Sequence, residues 1–327
     1  MSRTRRRQFL IASGALLAAP LASLAQQSPA KVARIGFLGL PGASSWAPML
    51  AALRAGLRDL GYVEGRNIVI EYRWAEGNYD RLPELAAELV RLKVDLIVTH
   101  TTLGTRVAKQ ATTTIPIVIA ATGDAVQAGL VTSFARPGGN VTGSSFLGPE
   151  IAAKRLDLLK EALPRIRRVA VLFNTNSGSW LLDGMRRSAK SLKVELYEAA
   201  EQRLDEIESA FAKMVDWHAE GVVVIEDPVL VSKAKAIAEL ALKRRLPVIG
   251  FTQIAEAGGL MGFGASIAEM HRRAAYFIDK ILKGMKPSDL PVEQPAVFEF
   301  VINLKTAKAM DLTLPQSLLL RADGVIQ

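Results

Sequence analysis

The chain has 327 residues, half of them hydrophobic and 22% charged, a balance that excludes disorder and allows one large or two medium domains. Its formal charge of +9 falls to +5 once Arg3, Arg5, Arg6 and Arg7 of the N-terminal segment are set aside. No basic run is interleaved with aromatics, so no nucleic-acid partner is expected, and the absence of cysteine rules out disulfides, thiolate nucleophiles, iron–sulfur clusters and cysteine zinc sites.

Residues 1–25 read as an export signal. Arg5-Arg6-Arg7-Gln8-Phe9-Leu10 opens a basic region, an apolar stretch runs on to Leu24, and Ser23-Leu24-Ala25 supplies small residues for cleavage near Ala25. Ser13, Gly14 and Pro20 dilute that stretch below the roughly 20 apolar residues of a spanning helix. The Arg-Arg-x-Phe-Leu core is twin-arginine-like, although Arg5 and Ile11 depart from the pattern and leave the general export route open. The mature protein is expected in the periplasm.

Short Val- and Ile-rich runs then alternate with longer amphipathic stretches, as in βαβ units with a parallel sheet. Strands are expected at residues 34–39, 68–72, 95–99 and 115–119, with helices at 48–60, 79–92 and 102–110. The series then repeats, with strands at 168–173, 194–197, 221–225 and 246–250 and helices at 180–192, 204–217 and 231–245. Arg34 matches Arg168 and Pro116 matches Pro247, a spacing of about 130 residues in both cases. The fold class is therefore α/β, two Rossmann-like lobes in tandem.

Glycine-punctuated links at 138–143 and 258–264 suit chain crossings that bend and approach closely. A helix at 267–282, a strand at 297–302 and a short helix at 304–310 follow, with a third crossing near 298–303. The expected division is 32–146 plus 259–297 for the N-terminal lobe and 147–258 plus 298–327 for the C-terminal lobe.

In open α/β sheets, ligands bind beyond the carboxyl ends of the strands, where loops feed helix N-termini. The loops in question carry Ser44, Ser45, Thr101, Thr102, Thr122, Asn174 and Asn176 as neutral hydrogen-bonders, with Trp46 and Phe251 as apolar surface. Such a mixture suits a small polar ligand with an apolar side group, though each Ser, Thr or Asn also fits a helix cap or turn. His100, directly after a strand, reads as a hydrogen-bonding loop residue rather than a catalyst. Asp124 and Asp227 end corresponding strands and stand either as partners for a ligand ammonium or as caps of the next helix. No Gly-Lys-Ser/Thr loop or complete dinucleotide fingerprint exists, so no cofactor is expected, and no metal-spaced histidine pair occurs.

Ile115-Pro116-Ile117-Val118, Gly123-Asp124, Gly129-Leu130-Val131 and Arg136-Pro137-Gly138-Gly139-Asn140-Val141-Thr142-Gly143 together resemble the ABC-transporter substrate-binding proteins labelled as tryptophan/tyrosine transport components. Leu282-Lys283-Gly284, Asn303-Leu304-Lys305-Thr306-Ala307 and Arg321-Ala322-Asp323 extend the resemblance over the whole mature chain. It implies the type I periplasmic-binding-protein fold with three hinge crossings, capture of a small-molecule ligand by lobe closure, and delivery to a cognate membrane permease with its ATPase. A monomer that binds without a chemical step is implied, with an aromatic amino acid or related carboxylate as default ligand. Thr101 and Thr102 resemble the family's contacts to a ligand carboxylate, and Asn174 with Asp227 the opposite lobe's contribution. Gly123-Asp124-Ala125 departs from the family's usual Gly-Asp-Pro, and Gly262-Phe263-Gly264 from its Ser-Tyr-Gly. A sensory input protein for a membrane kinase or chemoreceptor would use the same cleft, whereas an exported enzyme would need a nucleophile or acid/base pair that is not evident.

Overall fold

The computed structural model describes residues 32–177, 179–201 and 206–327; the expected export signal lies outside the described residues. Strands β1 (Ala33–Gly39), β2 (Ile68–Trp74), β3 (Leu96–His100), β4 (Ile117–Ala121) and β5 (Val141–Gly143) form a parallel sheet in the order β2-β1-β3-β4-β5. β3 and β4 are buried along their whole length, which is why they read as unbroken apolar runs: helices cover both faces. Ile35, Phe37, Val98 and Val118 pack under helices Ala47–Asp59 and Ile267–Leu282, while Leu38, Ile97 and Ile119 form a second core with Leu82, Leu85, Leu89 and Val107. Helix Ala47–Asp59 turns Met49, Leu50, Leu53 and Leu57 inward at helical spacing, and Pro48 starts it where a missing N–H costs nothing.

The second sheet comprises β6 (Arg168–Asn174), β7 (Glu195–Glu201), β8 (Gly221–Val224), β9 (Val248–Gly250), β10 (Met261–Ala265), β11 (Phe298–Asn303) and β12 (Gly324–Ile326), in the order β12-β11-β10-β9-β8-β6-β7. Two parallel-sheet lobes are thus present, with one antiparallel pair where β10 meets β11. The reason is topological. The chain leaves the second lobe after Ala265 and re-enters at Phe298, and these two residues are register partners, so β11 must run back along β10.

The division differs from the expected one at residues 259–265. β10 hydrogen-bonds to β9 and β11 inside the second sheet, and only the following helix Ile267–Leu282 belongs to the first lobe's core. The expected single helix at 231–245 is also two, Pro228–Ser232 and Ala234–Lys243, because Asp227 accepts from the amides of Val229 and Leu230 and starts the first of them early. The tail, which lacks a sequence period, contributes helix Gln316–Leu319 and β12.

The chain passes between lobes three times, after Gly143, after Ala265 and before Phe298, and the passages lie side by side. Ser145 donates its amide to the Glu293 carbonyl (2.9 Å), Glu293 to Gly143 (2.9 Å) and Ser266 to Val297 (3.1 Å). Gly143 sits at φ +130°, where a Cβ would fall 2.1 Å from the Ile119 carbonyl oxygen, so only glycine fits there.

Candidate functional site

The carboxyl ends of the strands in both lobes border one cavity. Trp46, His100, Thr101, Thr102 and Thr122 line it from the first lobe, and Leu181, Ile225, Glu226, Asp227 and Val231 from the second. Phe146 and Ile267 close it near the crossings.

Thr101 caps helix Thr102–Ala111 from a backbone conformation of φ 74°, ψ 155°, a region that is almost reserved for glycine and costs a β-branched residue about 1–3 kcal/mol. The surroundings enforce it: its amide donates to Ala121 (2.8 Å), its hydroxyl accepts from the Gly104 amide (3.0 Å), and its carbonyl accepts from the Thr105 hydroxyl (2.7 Å). The strained turn sets Thr101 and Thr102, and with them the electropositive start of the helix, in the cavity wall. Beside them the buried hydroxyls of Thr102 and Thr122 lie 3.1 Å apart. This end of the cavity presents donors to an anionic group.

Trp46 stacks on His100 with ring centroids 4.5 Å apart and donates its indole N–H to His271 Nε2 at 3.2 Å. His271 in turn hydrogen-bonds the Ile267 carbonyl through Nδ1 (2.8 Å), which fixes its neutral tautomer; His100 Nε2 accepts from the Leu40 amide (3.4 Å). Burial lowers the His271 pKa to about 4, and burial together with His271 holds His100 well below its usual value. An unfolded histidine titrates near about 6.5, so between that pH and about 4 the unfolded chain takes up protons that the folded one refuses. This contribution to stability is complete above about pH 6.5 and is lost as the pH falls toward 4. The melting temperature is expected to drop across this window and His271→Gln to remove part of the drop; an equally steep fall in the variant would exclude His271 as a source.

The second lobe supplies carboxylates held in different ways. Arg155, fully buried on helix Gly148–Ala162, grips Glu226 with both terminal guanidinium nitrogens and donates to the carbonyls of Phe263 (2.7 Å) and Val224 (3.0 Å). Asp227 accepts from the Val229 amide (2.9 Å) and from the Tyr79 hydroxyl (2.8 and 2.9 Å to its two oxygens), and that hydroxyl accepts from Asn174 Nδ2 (3.0 Å). Burial, then the Asp227 charge, pushes the Tyr79 pKa far up, so the phenol stays a donor. Among the described residues no group of three or more His, Asp or Glu could hold a metal ion.

Of the residues expected at the site, Trp46, His100, Thr101, Thr102, Thr122 and Asp227 line the cavity. The others lie elsewhere. Ser44 and Ser45 are exposed in a turn, where Ser45 donates to the Gly42 carbonyl. Asp124 caps a turn by accepting from Val126 and Gln127 amides, and exposed Asn176 donates its amide to Asn174 Oδ1. Phe251 is buried in the second lobe's core with Leu230 and Ile254. Asn174 stands behind the wall and holds Tyr79. Tyr79, Arg155 and His271 were not foreseen, whereas Glu226 lies in a loop, residues 226–229, expected at the cleft; the Asp227-Pro228 cap-and-proline pair was the available signal that this loop starts a helix.

The profile of the family described as ABC transporter substrate binding protein matches residues 44–326. The chain belongs to that family. A tyrosine-binding protein from Clostridioides difficile is 30% identical over 260 residues, which are 78% of this chain and 74% of the relative. A domain from Streptococcus pneumoniae solved in complex with L-Trp is 26% identical, covers 89% of this substrate-binding protein and 100% of its own chain, and superposes with a TM-score of 0.82. A ligand-free, open substrate binding protein with adhesive properties from Clostridium difficile, at 25% identity and 90% and 99% coverage, reaches 0.65. A leucine binding protein from Thermotoga maritima at 12% identity shares the fold alone, covering 77% and 83% with a TM-score of 0.58, and that fold is the type I periplasmic-binding-protein fold.

Proposed function

We propose that this substrate-binding protein captures an aromatic amino acid or a closely related carboxylate between its lobes outside the cytoplasm and, as a monomer, presents it to a membrane permease driven by an ATPase. Binding is the whole of its activity. The observation that carries the ligand class is the make-up of the cavity wall: a helix start with the Thr102 and Thr122 hydroxyls from the first lobe, Asp227 and Glu226 from the second, and the apolar side chains of Trp46, Phe146, Val231 and Ile267. A zwitterion with an apolar ring satisfies all three, its carboxylate at the helix start, its ammonium near the acids and its ring on the aromatic surface. The tyrosine-binding relative and the L-Trp complex support the same class.

A thermal-shift screen of residues 26–327 against L-tryptophan, L-tyrosine, benzoate, nucleosides and sugars tests it, since a ligand at 100 times its dissociation constant adds about 2.7 kcal/mol. A shift from an aromatic amino acid without turnover is expected; a flat response to these with a shift from sugars would overturn the ligand class. Thr102→Ala should weaken the bound amino acid by about 1–3 kcal/mol, the usual effect of stripping a buried hydrogen-bond partner. Unchanged affinity by calorimetry would take Thr102 out of the site.

A further inference from the structure

We infer that Tyr79 and Val229, the latter on the short helix Pro228–Ser232 that borders the ligand cavity, form a clasp that holds the two lobes shut and so sets how tightly a ligand is retained. Tyr79 belongs to the first lobe, on the turn Tyr79–Arg81 after β2; of its two hydrogen-bond partners in the second lobe, Asn174 ends β6 and Asp227 caps the helix after β8. Two residues beyond Asp227, Val229 is only 2% exposed although it belongs to a second-lobe helix, because it completes the first lobe's core cluster with Leu38, Leu40, Ala75 and Leu82. Val231 packs on the first lobe's other cluster. Tyr79 and Val229 do not line the cavity.

Both contacts ride on residues 227–231, so separating the lobes must give up the phenol–carboxylate bond and expose Val229 in one movement. Closing reverses both whether or not a ligand is present. A protein that binds in its closed form has an apparent affinity scaled by the fraction closed, so a contact between the lobes that the ligand does not itself make acts on affinity through that fraction. Tyr79 is in this sense a positioning residue. The inference rests on the proposed binding function, yet it concerns lobe closure, which can be read without a ligand.

The absence of cysteine from the chain makes Val229→Cys a single thiol probe. Its labelling rate with a water-soluble maleimide is measured with and without Tyr79→Phe, in ligand-free protein and in saturating L-tryptophan or L-tyrosine. Tyr79→Phe is expected to speed labelling about tenfold in whichever condition is the more closed, and to raise the ligand's dissociation rate while its association rate stays within about twofold. The melting temperature of ligand-free protein should stay unchanged if that form is open, whereas a merely structural role would lower it as much as that of the bound form. Unchanged labelling in both conditions would overturn the clasp. If calorimetry finds no binding of either amino acid, the ligand class fails separately, and the ligand-free labelling comparison alone decides the clasp. Should Val229→Cys fail to fold, small-angle scattering of Tyr79→Phe in the same two conditions replaces it: a larger radius of gyration supports the clasp and an unchanged one overturns it.

Discussion

Replacing Arg155 with methionine is expected to destabilise the protein by about 3–5 kcal/mol, the range for removing one partner of a buried ion pair. The side chain is fully buried, and all its contacts are internal: the Glu226 carboxylate, held by two nitrogens, and the carbonyls of Val224 and Phe263. Without it, two carbonyls lose a donor and a carboxylate in the cavity wall loses its counter-charge. Gly264 belongs to the same arrangement, since a Cβ there would come within 2.8 Å of Glu226 Oε1 and 3.0 Å of Arg155 Nη2. Arg155→Lys keeps the charge but cannot supply the fork and should recover only part of the loss. The paired variant Arg155→Met with Glu226→Gln should be more stable than Arg155→Met alone. Urea unfolding reads all three, and a loss under about 1 kcal/mol for Arg155→Met would show that the pair is not holding β8, β10 and helix Gly148–Ala162 together.

Trp46→Ala should cost a similar amount, about 3–5 kcal/mol for truncating a buried tryptophan, and should also abolish measurable binding of an aromatic amino acid. The indole is part of the first lobe's core, with Leu50, Leu53 and Phe277, and of the cavity wall. It is also the donor that satisfies His271 Nε2 and the surface on which His100 stacks. Trp46→Phe separates these roles. It keeps most of the apolar surface but leaves the buried His271 acceptor unfilled, a loss of about 1–3 kcal/mol. Unfolding and calorimetry should place the chains in the order wild type, Trp46→Phe, Trp46→Ala; a phenylalanine variant as unstable as the alanine one would mean that the N–H bond, rather than packing, dominates.

The repeated strand–helix series was legible because β3, β4, β6 and β8 are built on runs of Val, Ile, Leu and Ala of the kind a sheet covered on both faces requires. Thr101 and Thr102 could be singled out for a related reason: a polar pair between a buried strand and a helix start has few other places to point. Phe251 occupies the analogous position after β9, yet its side chain turns into the helix layer with Leu230 and Ile254, and periodicity does not register such a rotation. Tyr79 was invisible because its partners are 148 and 95 residues away, in the other lobe. Arg155 reads as one more charge on an amphipathic helix; that it faces inward depends on Glu226, 71 residues on.

The helix Ile267–Leu282 places Ala274, Ala275, Phe277, Ile278 and Ile281 in a core whose other members come almost entirely from residues 33–120, with Leu290 beyond the helix itself. The first lobe therefore cannot complete its interior until the chain has been made past residue 282, after the strands of the second lobe as far as β10. Until then the apolar faces of helix Ala47–Asp59 and of the first sheet stay partly uncovered and open to aggregation or to a chaperone. Assembly of the two lobes is in this way coupled in time, and a chain ending at residue 265 would hold nearly every strand of the sheets without forming a finished lobe.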